Sequence, residues 1–329
     1  MGIMEIVLPV AVCFIVTAIA GKLLIPALVK LKAGQSIKEI GPSWHMTKQG
    51  TPTMGGLMFI AAIAVVCLSV GFECMAEGEY GHLFCLAFAL VFGAIGFLDD
   101  YEKLKKKQNL GLTAGKKLLL QLAAAVAFIF LMRRFGYVAL DSLYIPFWNK
   151  TVPVSEPLYV IFAAFVIVGT VNSVNLTDGV DGLSASLAVV TIGTYLIAYH
   201  EELADYSTAG VVFMGALLAY LWSNAKPSTL LMGDAGSRAM GFFIAILSLK
   251  CGHPFAFLLA AIVFIVDGSL GILKISLKRF LHISILKNTR TPLHDHVRKN
   301  KGWSDEQVVA RWLILQCVAS ALLLLVVHG

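Results

Sequence analysis

Charged residues are scarce in this sequence. Asp, Glu, Lys and Arg make up only 14% of the 329 residues, against about 25% in an average soluble domain, whereas 58% of the residues are hydrophobic. A soluble globular fold is therefore disfavoured. At about 20 apolar residues per membrane crossing, the chain has room for around ten spans. The composition indicates a multi-span integral membrane protein.

Several other features are missing. The six cysteines show no CxxC spacing, so neither a metal site nor a disulfide framework is indicated. The N-terminus has no basic region and no small-residue cleavage site, so we expect the first helix to remain as a span. No internal repeat, low-complexity tract or appended soluble domain is evident. We therefore expect one membrane domain over residues 1–329.

The apolar runs predict an all-α integral membrane protein with about ten transmembrane helices. Hydropathy alone fixes their ends only to within several residues. The runs lie at residues 3–28, 54–72, 83–98, 118–135, 158–174, 183–199, 209–223, 238–250, 255–277 and 308–328.

The stretches that connect these runs differ in charge between the two sides. One alternating set carries 21 of the 26 Lys and Arg residues and 10 of the 20 acids, whereas the other carries four basic residues and nine acids. Because basic loops stay in the cytoplasm, the first set is predicted to be cytoplasmic, with both termini outward. The net charge of +6 is then explained by the basic loops that orient the protein in the membrane, and no nucleic-acid partner is expected.

Two acidic motifs lie at the predicted cytoplasmic boundary. Asp99 and Asp100 end the third apolar run, where the helix dipole disfavours negative charge, so the pair calls for a cation. A solvated helix cap is the alternative. Asn175, Asp178 and Asp181 recur every three residues and can line one polar pocket, with a helix cap and turn as the simpler interpretation.

Three further segments have polar residues suited to phosphate chemistry. Gly233 and Gly236 allow backbone amides to approach a phosphate, and Asp234 between them is a hard oxygen ligand for Mg²⁺. Lys48 to Thr53 places a cation beside hydroxyls, which suits a substrate phosphate or base, with a polar helix entry as the alternative. His294-Asp295-His296 could be metal ligands, phosphate contacts or solvated surface, although zinc is disfavoured because no third soft ligand is near.

Taken together, these groups favour Mg²⁺-assisted phosphoryl transfer between a lipid phosphate and a soluble reactant. Carboxylates, lysines and glycine turns at the membrane interface neutralise the charge that develops on a diphosphate. A lipid or ion transporter would instead have its polar site near the bilayer midplane, where only Asp267 and Lys22 qualify. The transporter hypothesis requires those two residues to be essential while Asp99 and Asp234 tolerate substitution.

Six ordered motifs between about Lys38 and Trp312 make the chain resemble the phospho-N-acetylmuramoyl-pentapeptide transferases. This family belongs to the polyprenyl-phosphate N-acetylhexosamine-1-phosphate transferase superfamily. The motifs are Lys48-Gln-Gly-Thr-Pro-Thr-Met-Gly-Gly56, Gly96-Phe-Leu-Asp-Asp-Tyr101, Gly111-Leu-Thr113 with Lys117, Asn175-Leu-Thr-Asp-Gly-Val-Asp-Gly-Leu183, Met232-Gly-Asp-Ala-Gly-Ser237, and Pro292-Leu-His294 through Lys301-Gly-Trp303.

The resemblance implies an enzyme of the bacterial cytoplasmic membrane with its active site on the cytoplasmic face. It would transfer phospho-N-acetylmuramoyl-pentapeptide from its UDP carrier to undecaprenyl phosphate, form lipid I and release UMP, with Mg²⁺ as cofactor. Its partners would be UDP-MurNAc-pentapeptide, undecaprenyl phosphate and membrane lipid, and a homodimer is left open. Direct attack and a phospho-enzyme route are both compatible with the same acids.

The resemblance also assigns roles by motif position. Asp234 would be the leading metal ligand, Asp99 the base that deprotonates the lipid phosphate, and Asp100 a support for the metal or that phosphate. The substrate-binding residues fall into three groups. The residues that line the diphosphate site would be Lys117, Asn175, Asp178 and His294, and His294 is also counted as catalytic. The residues nearer the nucleotide or sugar would be Lys48, Thr53, Asn224 and Asp181. The third group is Gly233, Ser237 and His296.

Three positions depart from the family pattern. Asp295 stands within what is usually a run of three histidines, Ala235 follows the metal-binding acid, and Lys274 replaces an uncharged polar residue. The alternative within the superfamily is a transferase that loads UDP-N-acetylglucosamine onto a polyprenyl phosphate. Substrate competition would separate the two, and we expect the 278–303 loop to set the sugar specificity.

Overall fold

The computed structural model describes residues 3–31, 50–70, 72–78, 80–106, 111–138, 141–145 and 148–328. Long apolar runs form helices because, in hydrocarbon, backbone polar groups must pair within their own segment. The first elements are α1 (Ile3–Lys30), α2 (Gly56–Val70), α3 (Phe72–Ala76), α4 (Gly81–Lys106), α5 (Ala114–Arg134), β1 (Ser142–Ile145), β2 (Lys150–Pro153), α6 (Glu156–Thr177) and α7 (Leu183–Ala198).

The second half of the chain is helical throughout apart from its connections. A 3₁₀ turn, Ala204–Tyr206, leads into α8 (Ser207–Asn224), and α9 (Gly233–Lys250) follows. The remaining elements are a 3₁₀ turn (Pro254–Ala256), α10 (Phe257–Ala260), α11 (Ile262–Phe264), a π-helical turn (Ile265–Ser269), α12 (Leu270–Phe280), α13 (Leu293–Lys301) and α14 (Asp305–His328).

Helix α9 is the central element of the bundle. Its residues from Ala235 to Leu249 are all buried, and it packs against α4, α6, α2 and α7. The prediction began this helix at residue 238, five residues late. The difference arises because Asp234, Ser237 and Arg238 are polar yet helical, which hydropathy cannot recognise. The polar first turn of α9 therefore lies at the end of a buried helix.

The apolar run predicted at 255–277 is broken. Pro254–Ala260 and Ile262–Phe280 meet at an angle of 81°, and the π-helical turn follows the break. Gly268 in this turn lies against the backbone of Ser173 in α6, where any side chain would overlap the Ser173 carbonyl oxygen. The neighbouring residue, Asp267, is consequently fixed in the interior.

A small hairpin interrupts the helical architecture. Strands β1 and β2 pair antiparallel, with Ser142 opposite Pro153 and Ile145 opposite Lys150. The ring of Tyr144 packs edge-on against His253, just after the end of α9. The hairpin and the polar first turn therefore lie at opposite ends of α9.

The all-α membrane class is confirmed. Among the described residues, six helices are long and apolar enough to cross a membrane, and the bent pair would make a seventh; α2 and α7 are shorter apolar helices. Only 22% of the most apolar window of α1 and 28% of those of α5 and α14 are buried, which fits outer helices facing lipid. The count of ten spans and the outward termini stay predictions.

Candidate active site

The first motif segment lies beside the loop that enters α9. The Gly55 N–H donates to the Leu231 carbonyl at 2.8 Å, the Gly56 N–H donates to Met232 at 2.9 Å, and the Leu231 N–H donates to Pro52 at 2.9 Å. Residues 52–56 and 231–232 are thus linked through backbone atoms. This pairing brings two motifs, far apart in sequence, to the start of one helix.

Glycines in the motifs allow helices to approach closely. A Cβ atom on Gly96 would overlap the backbone carbonyl of Asp234, and one on Gly56 would overlap Gly236. Gly233 has φ +74°, which glycine adopts readily, at the point where α9 begins. The backbones of α4 and α2 therefore lie directly against the backbone of α9, and Asp99 and Asp100 on α4 lie beside Asp234.

Three carboxylates form the centre of the site. One oxygen from each of Asp99, Asp100 and Asp234 lies within 4.8 Å of the others. Oδ2 of Asp100 accepts the N–H of Asp234 at 2.8 Å and that of Ala235 at 3.3 Å, so it caps the positive end of α9. Oδ1 of Asp99 accepts the N–H of Leu112 at 2.7 Å, and both Asp99 and Asp100 are buried.

Three cations balance these three acids. Lys103 Nζ lies 2.7 Å from Asp99, 3.3 Å from Asp100 and 3.3 Å from Asp234. Lys117 Nζ lies 2.8 Å from the same Asp99 oxygen and 3.9 Å from Asp234. Arg238, one turn along α9, donates to Asp234 at 3.0 Å. The cluster is formally neutral, because buried charges are stable only when paired.

Asn175 holds the third carboxylate in place. Its Nδ2 donates to Asp234 Oδ1 at 3.0 Å and to Ser237 Oγ at 2.8 Å. The Ser237 hydroxyl in turn donates to the Gly233 carbonyl at 3.0 Å. Together with Arg238, Asn175 occupies both oxygens of Asp234 and fixes its orientation.

His294 forms a second buried polar group. Its Nδ1 lies 2.7 Å from Asp267 Oδ2, and its backbone N–H donates to Asp267 Oδ1 at 2.7 Å. Trp312 Nε1 donates to the same Oδ1 at 3.1 Å. The other ring nitrogen faces Gly179, where an added Cβ would overlap His294 Nε2. Asp267 is therefore the partner of His294.

Comparisons with known proteins identify the family. The Glycosyl transferase family 4 model matches residues 82–252, and the Phospho-N-acetylmuramoyl-pentapeptide-transferase signature 1 matches residues 48–60. The chain is 39% identical over 314 residues to the enzyme of that name from Listeria welshimeri, which covers 94% of each chain. It is 36% identical to the one from Staphylococcus carnosus, covering 92% of this chain and 94% of the relative.

The chain belongs to the phospho-N-acetylmuramoyl-pentapeptide transferase family. The resemblance noted in the sequence is thereby confirmed. Within the first signature, Thr53 is half-buried, and its hydroxyl lies close to Gly233. Lys48, from the same signature, lies outside the described residues.

The other residues expected in a phospho-N-acetylmuramoyl-pentapeptide transferase site lie at its edges. Asn224 is buried and braces the turn after α6, because it accepts the Gly182 N–H at 2.8 Å and donates to the Leu230 carbonyl at 2.9 Å. Asp178 is half-buried and Asp181 buried in that turn. His296 accepts the Arg290 N–H at 3.2 Å, so Nδ1 of its ring binds the loop backbone.

Two charged residues of the cluster were missed by the sequence analysis. Lys103 and Arg238 are two of the 21 basic residues in the loops predicted to be cytoplasmic, and neither was assigned a role in the site. Spacing gives the available signal: Lys103 follows Asp99 by four residues and Arg238 follows Asp234 by four, which puts each pair on one helix face.

The cluster fits a hard divalent cation. Carboxylate oxygens are the ligands that Mg²⁺ prefers, and here Asp99, Asp100 and Asp234 can each contribute one. Lys103 Nζ, within 3.3 Å of all three, marks a position where positive charge is stabilised. The adjoining ammonium groups of Lys103 and Lys117 are the usual counter-charges for a phosphate.

Proposed function

We propose that the chain transfers phospho-N-acetylmuramoyl-pentapeptide from UDP to undecaprenyl phosphate and releases UMP. Membership of the family supports the reaction. The observation that carries the assignment of residues is the cluster of Asp99, Asp100 and Asp234, in which Lys103 pairs with all three acids. Three acids beside two lysine ammonium groups at a helix end suit a reaction in which charge moves between phosphates.

We assign metal binding to Asp234 as the leading ligand, with Asp100 in support. Bound Mg²⁺ would neutralise charge on the diphosphate and polarise the phosphorus that is attacked. Asn175 and Ser237 orient Asp234 for this role. Asp100, which accepts two backbone N–H groups of α9, keeps its remaining oxygen toward Lys103.

Asp99 is the proposed base for the lipid phosphate. Its Oδ1 is occupied by the Leu112 N–H, so a proton can be accepted only at Oδ2. That oxygen contacts Lys103 and Lys117 before substrate binds. Diphosphate oxygens would draw both ammonium groups away from Oδ2, because the diphosphate carries two negative charges whereas one carboxylate carries one. Binding of the donor would therefore free the base.

The remaining residues are proposed to surround the donor. Gly233 and Thr53 lie together at the entrance of α9, beside Asp100. His294 Nε2 points at the 178–182 turn, where Asp178 and Asp181 would border the diphosphate and the sugar or nucleotide. Asn224 would act by supporting that turn. Lys48 and His296 complete the proposed set of binding residues.

The topology proposed from the charge pattern places this site in the cytoplasm. The acid cluster lies at one end of α4, α9 and the 178–182 turn, among the basic loops, and the hairpin lies at the other end of α9. Ten spans with both termini outward satisfy this arrangement if α2, α7, α9 and the bent pair also cross the bacterial cytoplasmic membrane.

The test is UMP release by purified protein supplied with UDP-MurNAc-pentapeptide and undecaprenyl phosphate. We expect release that requires both the lipid and Mg²⁺, and that is lost in Asp99→Asn and Asp234→Asn. Asp141→Asn, which changes an exposed acid beside the hairpin, is the matched control and should retain wild-type release. Release from UDP-N-acetylglucosamine alone would assign the chain to the sister activity, and no release from either donor would contradict the proposal.

A further inference from the structure

A basic cavity lies apart from the acid cluster, between α12, the loop that follows it and α13. Its volume is about 320 Å³. The side chains that define it are Lys274 on α12, Lys287, Asn288 and Arg290 on the loop, and Lys299 and Asn300 on α13. None of the roles proposed above uses this cavity.

The cavity has an excess of positive charge. Four of its lining residues are Lys or Arg, and none of the described lining residues is Asp or Glu. The sequence from Gly268 to His294 contains no acid at all. Asp295, the first acid of α13, lies 3.6 Å from Arg298. Four cations around one cleft repel each other unless an anion joins them.

The walls of the cavity are fixed to one another. Lys274 Nζ donates to the Thr289 carbonyl at 2.7 Å, which joins α12 to the loop. The Arg290 N–H donates to His296 Nδ1 at 3.2 Å, which joins the loop to α13. Lys274 and Arg290 are half-buried. The site is therefore largely formed before a ligand arrives, which lowers the entropy cost of binding.

Helix α13 links this cavity to the proposed reaction site. His294, at its start, faces the 178–182 turn, whereas Lys299 and Asn300 near its end line the cavity. Five residues of helix span about 8 Å. An extended pentapeptide reaches about 17 Å. A donor peptide that passes His294 is therefore long enough to follow α13 to the cavity.

We propose that this cavity binds the C-terminal carboxylate of the donor's peptide. The inference rests on the proposed function, because the donor supplies the peptide. The diphosphate has its own cations at Lys103 and Lys117, so the peptide carboxylate is the donor anion that still lacks a partner. The guanidinium of Arg290 offers the paired N–H groups that match a carboxylate, and Lys274 adds a second charge.

The test compares two donors, UDP-MurNAc-pentapeptide with a free C-terminus and the same molecule with a C-terminal amide. In Lys274→Gln and in Arg290→Gln we expect the KM for the acid donor to rise about fivefold with kcat little changed. The amide donor should show a raised KM with the wild-type protein and no further rise in the variants. Lys150→Gln removes an equal charge from an exposed position of β2 and should behave as wild type.

The results that would overturn the cavity assignment differ from the result that would overturn the proposed function. Equal KM values for the two donors in the wild-type protein, or variants that affect both donors alike, would overturn the assignment of the cavity while leaving the proposed function intact. The assignment would also be overturned, with the proposed function intact, if the KM of the variants differed from that of the wild type only as the phosphatidylglycerol content of nanodiscs was changed. The cavity would then bind a lipid headgroup. Failure of the wild-type protein to release UMP from the acid donor would overturn the proposed function itself.

Discussion

Asp267 and His294 form a buried pair, with Oδ2 of Asp267 2.7 Å from Nδ1 of His294. The relative exposure of the two residues is 1% and 2%. Oδ2 of Asp267 is in position to accept a proton from Nδ1, and the opposite ring nitrogen, Nε2, faces Gly179. A carboxylate that fixes the tautomer and the orientation of an imidazole is a positioning residue. This pairing accounts for the intramembrane acid without a transport pathway.

The first prediction concerns this pair. Asp267→Asn should lower kcat about a hundredfold, because Asn can donate to Nδ1 and so favours the wrong tautomer, and general acid–base steps contribute on that scale. The donor KM should change much less. Steady-state UMP release over a range of pH would measure both parameters.

Trp312→Phe is the matched control for that measurement. It removes one donor to Asp267 but keeps the contact of Asp267 with His294, so kcat should fall by only a small factor. If Asp267→Asn is as active as Trp312→Phe while His294→Ala is inactive, Asp267 does not position the histidine.

The sequence predicted the membrane class, most helices and the three acids of the cluster. These features are local: apolar runs define helices, and each acid ends or begins one. The apolar run at 255–277 gave no sign of its 81° bend, because uniform hydropathy is compatible with a straight or a broken helix. Asp267 therefore looked like an isolated charge, although the bend and the π-helical turn bring it to His294.

Polar residues inside helices account for the other differences. Arg238 and Ser237 lowered the hydropathy at the start of α9, and the predicted helix began after them. Lys103 could not be distinguished from the neighbouring lysines by composition. Its contacts depend on Asp234, which is 131 residues away and meets α4 only through the close approach at Gly96.

The second prediction concerns Lys103 and the removal of metal. Lys103→Met leaves three acids facing one another with one fewer cation, so the unfolding temperature in EDTA should fall by about 3 °C or more. Mg²⁺ should raise the unfolding temperature of the variant more than that of the wild type, because the metal replaces the missing charge. Intrinsic fluorescence during heating in detergent would measure both.

Lys106→Met provides the comparison for Lys103. Lys106 is exposed and pairs with Glu102, outside the cluster, so its loss should not change the response to Mg²⁺. If Mg²⁺ raises the unfolding temperature of both variants equally, the Lys103 ammonium group does not lie where the metal ion binds.

The third prediction concerns pH and His253. Its ring stacks on Tyr199 at 4.9 Å and meets Tyr144 edge-on at 4.5 Å, and burial lowers its pKa from the ordinary 6.5. Because the folded pKa is below the unfolded one, its contribution to stability is complete above about pH 6.5 and is lost as the pH falls through the folded pKa. The unfolding temperature of His253→Phe should therefore decrease less than that of the wild type between pH 7.5 and pH 5.

His200→Phe is the control for this pH dependence, since His200 is an exposed histidine on the connection between α7 and α8. It should lose as much stability on acidification as the wild type. If His253→Phe follows the wild-type curve as well, protonation of His253 does not contribute to the acid sensitivity.

The fourth prediction concerns Gly96, which brings α4 onto α9. In Gly96→Ala the new methyl group would overlap the Asp234 carbonyl, so the two helices must separate and the three carboxylates must move apart. We expect a loss of about 1–3 kcal/mol in the free energy of unfolding and a larger proportional loss of UMP release. Gly169→Ala, in the interior of α6 with no atom near the added methyl, should leave UMP release unchanged and should not lower the free energy of unfolding. Equal behaviour of the two variants would mean that the carboxylate geometry does not depend on close packing at Gly96.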